Sequence, residues 1–91
     1  MTDLQMPISE RGRRYGYIIW PASLDRQVSE LFGPVAEVDM IFNARPCGRR
    51  RVDWKWRRIS VGRSLTGSIP KGARTYRMRK TDQGSVEVTY A

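Results

Sequence analysis

The spacing of apolar residues changes several times along the chain, and each change marks an element. Tyr15 to Trp20 is a short run of aromatic and β-branched residues ended by Pro21, which predicts a buried strand rather than a helix. Leu24, Val28, Leu31 and Phe32 then recur at helical spacing on an otherwise polar segment. Ser23 precedes them as an expected N-cap, Asp25 falls in the first turn near the positive end of the helix dipole, and Gly33-Pro34 supplies the stop.

Beyond Val35 the period becomes two. Val38, Met40 and Phe42 share one face, and Glu37, Asp39 and Ile41 share the other. Asn43 to Gly48 reads as a connecting loop, after which Val52, Trp54 and Trp56 alternate with Arg49, Arg51, Asp53, Lys55 and Arg57. The two runs predict an antiparallel hairpin. A register with Met40 opposite Trp54 sets Asp39 against Lys55 and Glu37 against Arg57, whereas a shift of two would oppose Asp39 to Asp53. Apolar parity then reverses, because Ile59 and Val61 are odd-numbered, so a β-bulge is expected at Arg57–Arg58. A loop from Gly62 to Ala73 follows, with Leu65 and Ile69 as its anchors. The chain closes on a second hairpin, Arg74 to Thr81 and its return, turning through Asp82-Gln83-Gly84. Its register pairs Tyr76 with Tyr90, Met78 with Val88 and Arg79 with Glu87.

These elements predict a small α+β domain, mostly β, in the order β-α-β-β-β-β: a curled, barrel-like antiparallel sheet with one covering helix. Residues 1–14 lack a periodic apolar pattern and are interrupted by Pro7 and Gly12, so they read as a flexible basic N-terminal arm, with residues 15–91 as the single domain. A length of 91 residues leaves no room for two domains. No apolar run reaches the ~18–20 residues of a membrane span, and no signal-peptide core is present, so a cytoplasmic protein is expected.

Charge sharpens the picture. The formal net charge of +8 is not spread evenly. Residues 45–80 hold ten arginines and three lysines against Asp53 alone, whereas the segments on either side are slightly acidic. That asymmetry points to an anionic partner, and a coding bias toward arginine would not confine it to one segment. Basic side chains at alternate strand positions stand ~6.5–7 Å apart, close to the phosphate spacing of one nucleic-acid strand. Arg49, Arg51, Lys55 and Arg57 are therefore expected to contact phosphates on one sheet face, joined by Arg77 and Arg79 from the last hairpin. Arg11, Arg13 and Arg14 would add a groove-reaching arm. Among the aromatics, core packing is expected for at least one of Trp54 and Trp56, and Tyr15 and Tyr17 are the candidates for exposure. The expected partner is DNA or RNA, with no cofactor, no metal and no catalytic residue.

The competing readings come from other classes. A module for protein interaction or self-assembly would use the apolar and aromatic content at a strand edge. Adhesion of the aromatic and basic hairpin to an anionic membrane is a third possibility. Histidine is absent, which excludes chemistry that needs it, and Cys47 alone cannot furnish a disulfide framework or a soft zinc site. Asp39 followed by Asp53-Trp54-Lys55 resembles the carboxylate…carboxylate-x-lysine pattern of metal-dependent nucleases. That resemblance would imply two carboxylates on Mg²⁺ and a lysine positioning water. The chain offers no counterpart to that family's second core helix between Val61 and Arg74, and the expected register makes Asp39 and Lys55 an ion pair. Gly62 to Ser68 lacks the Lys-Ser/Thr ending of a phosphate-binding loop and is given no nucleotide role.

Overall fold

The last hairpin forms in the expected register: β6 (Thr75–Lys80) and β7 (Val86–Tyr90) pair Tyr76 with Tyr90, Met78 with Val88 and Arg79 with Glu87. Alternation buries Tyr76, Met78, Val86 and Val88 and turns Arg77 and Arg79 outward. In the computed structural model, which describes residues 3–91, this hairpin lies within a curled, half-barrel sheet of seven strands. The spatial order is β1-β6-β7-β3-β4-β5-β2, in which β1 is Leu4–Pro7, β2 Tyr17–Ile19, β3 Glu37–Phe42, β4 Arg45–Asp53 and β5 Arg58–Ser60. β7 runs parallel to β3, with Met40 beside Val86 and Phe42 beside Val88. The sheet is therefore mixed rather than wholly antiparallel, because the terminal hairpin docks as a unit against β3.

Three further departures have local causes. Residues 4–7, expected to be a flexible arm, form β1 on the edge of the sheet. Leu4 and Met6 enter the core while Gln5 faces out, a period-two signal too short to stand out in the sequence. The rest of that segment is helix α1 (Glu10–Tyr15), capped by Ser9, whose Oγ accepts the Gly12 N–H at 3.2 Å. The first two residues lie outside the described residues. Between β2 and helix α2 (Asp25–Phe32), a short 3₁₀ turn occupies Ala22–Leu24, so Ser23 does not cap α2. Asp25 does open that helix, and Val28, Leu31 and Phe32 are buried as the spacing predicts.

The β3–β4 register differs by the largest step. The loop is only Asn43-Ala44, both at positive φ (49° and 69°), so β4 begins at Arg45. Asp39 lies opposite Arg49, Glu37 opposite Arg51 and Met40 opposite Gly48, with a bulge at Cys47 absorbing one residue. The arginine run offers acid–base complementarity in more than one register, so charge alone could not select among them. The parity change is also real but has another cause. β4 and β5 are antiparallel, with Val52 opposite Ile59, and Trp54–Arg57 form a tight turn between them instead of a bulge within one strand.

The concave face carries the core, from Leu4 and Met6 through Val38, Met40 and Phe42 to Ile18, Val52 and Ile59. Helix α2 covers the β1–β6 end, while α1 and helix α3 (Arg63–Thr66) pack together beside β2. The close packing of α1 against β2 and α3 requires glycine at two positions. A Cβ on Gly12 would collide with the Tyr17 carbonyl oxygen. One on Gly16, at φ 84°, would lie 2.7 Å from the Arg63 amide nitrogen. The Gly16 carbonyl in turn accepts both the Val61 and Gly62 N–H groups, at 2.9 and 2.8 Å. Ile69 is buried and Leu65 partly so, as expected for anchors of this segment. No helix of the described residues is long and apolar enough to cross a membrane.

Candidate nucleic-acid interface

The sheet's convex face gathers several of the expected phosphate contacts without making them a basic patch. Arg49 and Arg51 project outward from β4, and Arg77 and Arg79 from β6. β7 and β3 lie between, so the two pairs stand about 14 Å apart, three inter-strand steps. Acidic side chains fill the gap and the rim. Arg49 Nε is 3.4 Å from Glu37 Oε1 and its Nη1 4.0 Å from Asp39 Oδ1. Arg79 Nε donates to Glu87 Oε1 at 2.8 Å, and Arg77 Nε lies 3.6 Å from Asp3 Oδ2. Across the whole face, Arg49, Arg51, Arg58, Arg77 and Arg79 meet Asp3, Glu37, Asp39, Asp53 and Glu87. The face therefore carries no net charge, and the entire +8 lies elsewhere on the molecule.

Arg57 is tied into the fold. Its Nε donates to both Asp25 oxygens, at 2.9 and 3.1 Å, and the same Oδ1 accepts the Trp20 indole N–H at 2.8 Å. These bonds, Arg57 first and Trp20 second, hold the Asp25 carboxyl below its usual range against an opposing effect of burial. The network joins the end of β2, the start of α2 and the β4–β5 turn. Trp54 secures the turn's other side by donating its indole N–H to the Val35 carbonyl at 2.7 Å and packing edge-on against Trp20 and Phe32. Lys55 sits over the ring of Trp56, 5.6 Å from its centroid.

The nuclease-like residues are dispersed. Asp39 faces Arg49, whereas Asp53 is four residues further along β4, about 13 Å away. Asp53 is 3.9 Å from Arg58 and accepts the Trp56 N–H at 3.1 Å. No group of three metal-ligating side chains occurs among the described residues.

Part of the charge left over lies beside β2, and the rest is carried by Arg45, Arg50, Lys55 and Lys80 on β4, its turn and β6. Helices α1 and α3 touch, and Thr66 Oγ donates to the Arg13 carbonyl at 2.9 Å. The Arg13 guanidinium donates to the carbonyls of Ile69 and Pro70, which fastens the loop before β6 to α1. The Ile8 N–H donates to Arg74 O, closing the same side. Arg13 is thus a structural tie. Arg11, Arg14, Arg63, Lys71 and Arg74 remain exposed, and none makes an ion pair among the described residues.

On this side opens a cleft of about 490 Å³. Helix α1 contributes Arg11 and Tyr15, β2 contributes Tyr17, and α3 contributes Arg63. Trp56 from the β4–β5 turn and Arg58 from β5 complete it. No carboxylate lines it among the described residues. Trp56 is 63% exposed and Tyr15 50%, while Tyr17 is half-buried with the Arg58 guanidinium 4.3 Å from its ring centroid. Of these residues, sequence reasoning singled out Arg11, Tyr15 and Tyr17. It placed Trp56 on a core-facing strand and left Arg58 and Arg63 unassigned. No local signal marks Arg63, whose position depends on α3 docking against α1. Comparison with family models, curated proteins and solved structures finds no match for this chain.

Proposed function

We propose that the protein is a nucleic-acid-binding module without catalytic activity. Its phosphate contacts come from the side formed by α1, α3 and the loop before β6, with Arg11, Arg14, Arg63, Lys71 and Arg74 as the contact set. The observation that carries this reading is the separation of charge: a neutral convex sheet face, and a side where five exposed cations outside any ion pair among the described residues face only the Glu10 carboxylate of α1, next to exposed aromatic rings. Guanidinium groups suit phosphate oxygens because they donate in a planar fork. The arginine-rich sheet face inferred from strand alternation loses its main support, since its positive groups are matched by acids. Exposed pairs of this kind contribute only about 0–1 kcal/mol each, but they cancel the field that would steer an anionic partner.

Titration of labelled single-stranded DNA, duplex DNA and RNA at three salt concentrations tests the proposal. Neutralising three to five phosphates gives a log–log slope of about −2 to −4.5 across single strands and duplex. Micromolar or weaker binding at low salt, with no slope, overturns it. The alternative, self-association or protein docking, draws on the edge position of β1. Sedimentation over a range of concentrations separates the two, because strand-edge pairing makes the apparent mass rise with concentration in the absence of nucleic acid.

A further inference from the structure

We infer that the α1–β2–α3 cleft takes one unpaired nucleotide, its base stacked on Trp56 and Tyr15 and its phosphate held by Arg11 and Arg63. The protein is then selective for single strands. This inference rests on the nucleic-acid reading above and deepens it.

The first support is composition. Three aromatic rings and three guanidinium groups line a space with no carboxylate among the described residues around it. A flat apolar ring with an anionic phosphate on one side meets both halves of that lining, whereas a free phosphate would use the arginines alone. At about 490 Å³ the cleft lies within the roughly 300–1,000 Å³ range of small-molecule sites.

The second support is the placement of Trp56. The large aromatics Trp20, Phe32, Phe42 and Tyr76 are buried, yet Trp56 is 63% exposed. The turn that holds it out is anchored from several directions. Trp54 bonds to Val35, Arg57 to Asp25, and the Trp56 backbone N–H to Asp53. Tyr15 is set by the end of α1, where Gly16 is wedged against Gly62 and Arg63. Tyr17 is held by Arg58 on its ring. An exposed ring on so constrained a frame loses little conformational freedom when a base stacks on it.

The third support is selectivity. Bases inside a duplex are stacked on each other and their faces are hidden, so the rings gain nothing from a paired strand. Unpaired bases present their faces, and stacking is tolerant of base identity.

The test measures binding of an oligothymidylate of about 12 nucleotides, within the usual site size, alongside the matching duplex. Oligouridylate, an abasic chain of equal length and thymidine monophosphate complete the set. Tryptophan emission is followed together with anisotropy. The expected result is tighter binding to either single strand than to the duplex, with emission quenched. The abasic chain and the Trp56→Ala variant each bind roughly five- to 150-fold more weakly. Trp56→Phe recovers most of the affinity. Circular dichroism and thermal midpoints of the variants match the parent, since Trp56 is exposed. Equal affinity for single strand, duplex and abasic chain, together with an unaffected Trp56→Ala, overturns the cleft inference and leaves the salt-dependent nucleic-acid reading standing. Monophosphate binding as tight as that of the oligomer also overturns it, because a strand is then not the ligand. Absence of binding to every probe overturns both.

Discussion

Tyr76 has a fully buried ring whose hydroxyl finds no hydrogen-bond partner among the described residues. Burial pushes its pKa up to about 12, with the nearby Arg13 charge acting weakly in the other direction. Because the unfolded chain loses this proton near pH 10, the contribution of a neutral Tyr76 to stability is complete below pH ~10. It is lost as pH rises from there toward 12. Tyr76→Phe is expected to remove that part of the alkaline decline. At neutral pH it should be neutral or stabilising by up to ~1 kcal/mol, because an unpaired buried hydroxyl disappears. Urea midpoints of parent and variant at neutral pH and near pH 11 check both statements. Nothing in the sequence distinguished Tyr76 from Tyr90, its cross-strand neighbour. The first is sealed under the core, and the second accepts a bond from Asn43 Nδ2 at 3.1 Å.

Among the elements, the β3–β4 hairpin separates what pattern can determine from what it cannot. The inward face of β3 was legible, since Val38, Met40 and Phe42 alternate with Glu37, Asp39 and Ile41. The turn was not, because a two-residue loop with both residues at positive φ is normally signalled by Asn-Gly, and here Ala44 occupies the second place at φ 69°. A β-carbon there costs ~1–2 kcal/mol. Ala44→Gly should therefore raise stability by up to about 1 kcal/mol after the added freedom of the unfolded chain is counted. A rise in thermal midpoint of several degrees would be the readout, and an unchanged or lower midpoint would contradict it. The terminal hairpin was legible throughout, because its loop length, alternation and Arg79–Glu87 charge pair all favour one register.

For the whole molecule, the decisive quantity is where charge is left uncompensated. The convex face and the α1–α3 side make opposite predictions for the salt dependence of binding. Replacing Arg11, Arg14 and Arg63 together with alanine should flatten the log–log slope by about 2 on single strands. The pair Arg77→Ala and Arg79→Ala should leave the slope within experimental error, since each removed charge is ion-paired, Arg77 with Asp3 at 3.6 Å and Arg79 with Glu87 at 2.8 Å. The reverse outcome would return the contact surface to the sheet. Strand alternation puts Arg49, Arg51, Arg77 and Arg79 on one sheet face, where they lie, but it does not show the acids between them, because alternation assigns side chains to a face without saying which strands lie beside each other.

The chain alone determined what depends on near neighbours: the apolar stripe of α2, the inward faces of β3, β6 and β7, the last turn, and a strongly positive total. Tertiary structure decided what depends on distant ones. Sheet order brings Glu37, Asp39 and Glu87 between Arg49 and Arg79, turning a basic stretch into a neutral surface. Docking of α1 and α3 beside β2 draws Arg11, Tyr15, Tyr17, Trp56, Arg58 and Arg63 around one cleft. The physical reason is that electrostatic balance and concavity belong to surfaces, and surfaces are assembled from segments whose separation along the chain says nothing of their distance in space.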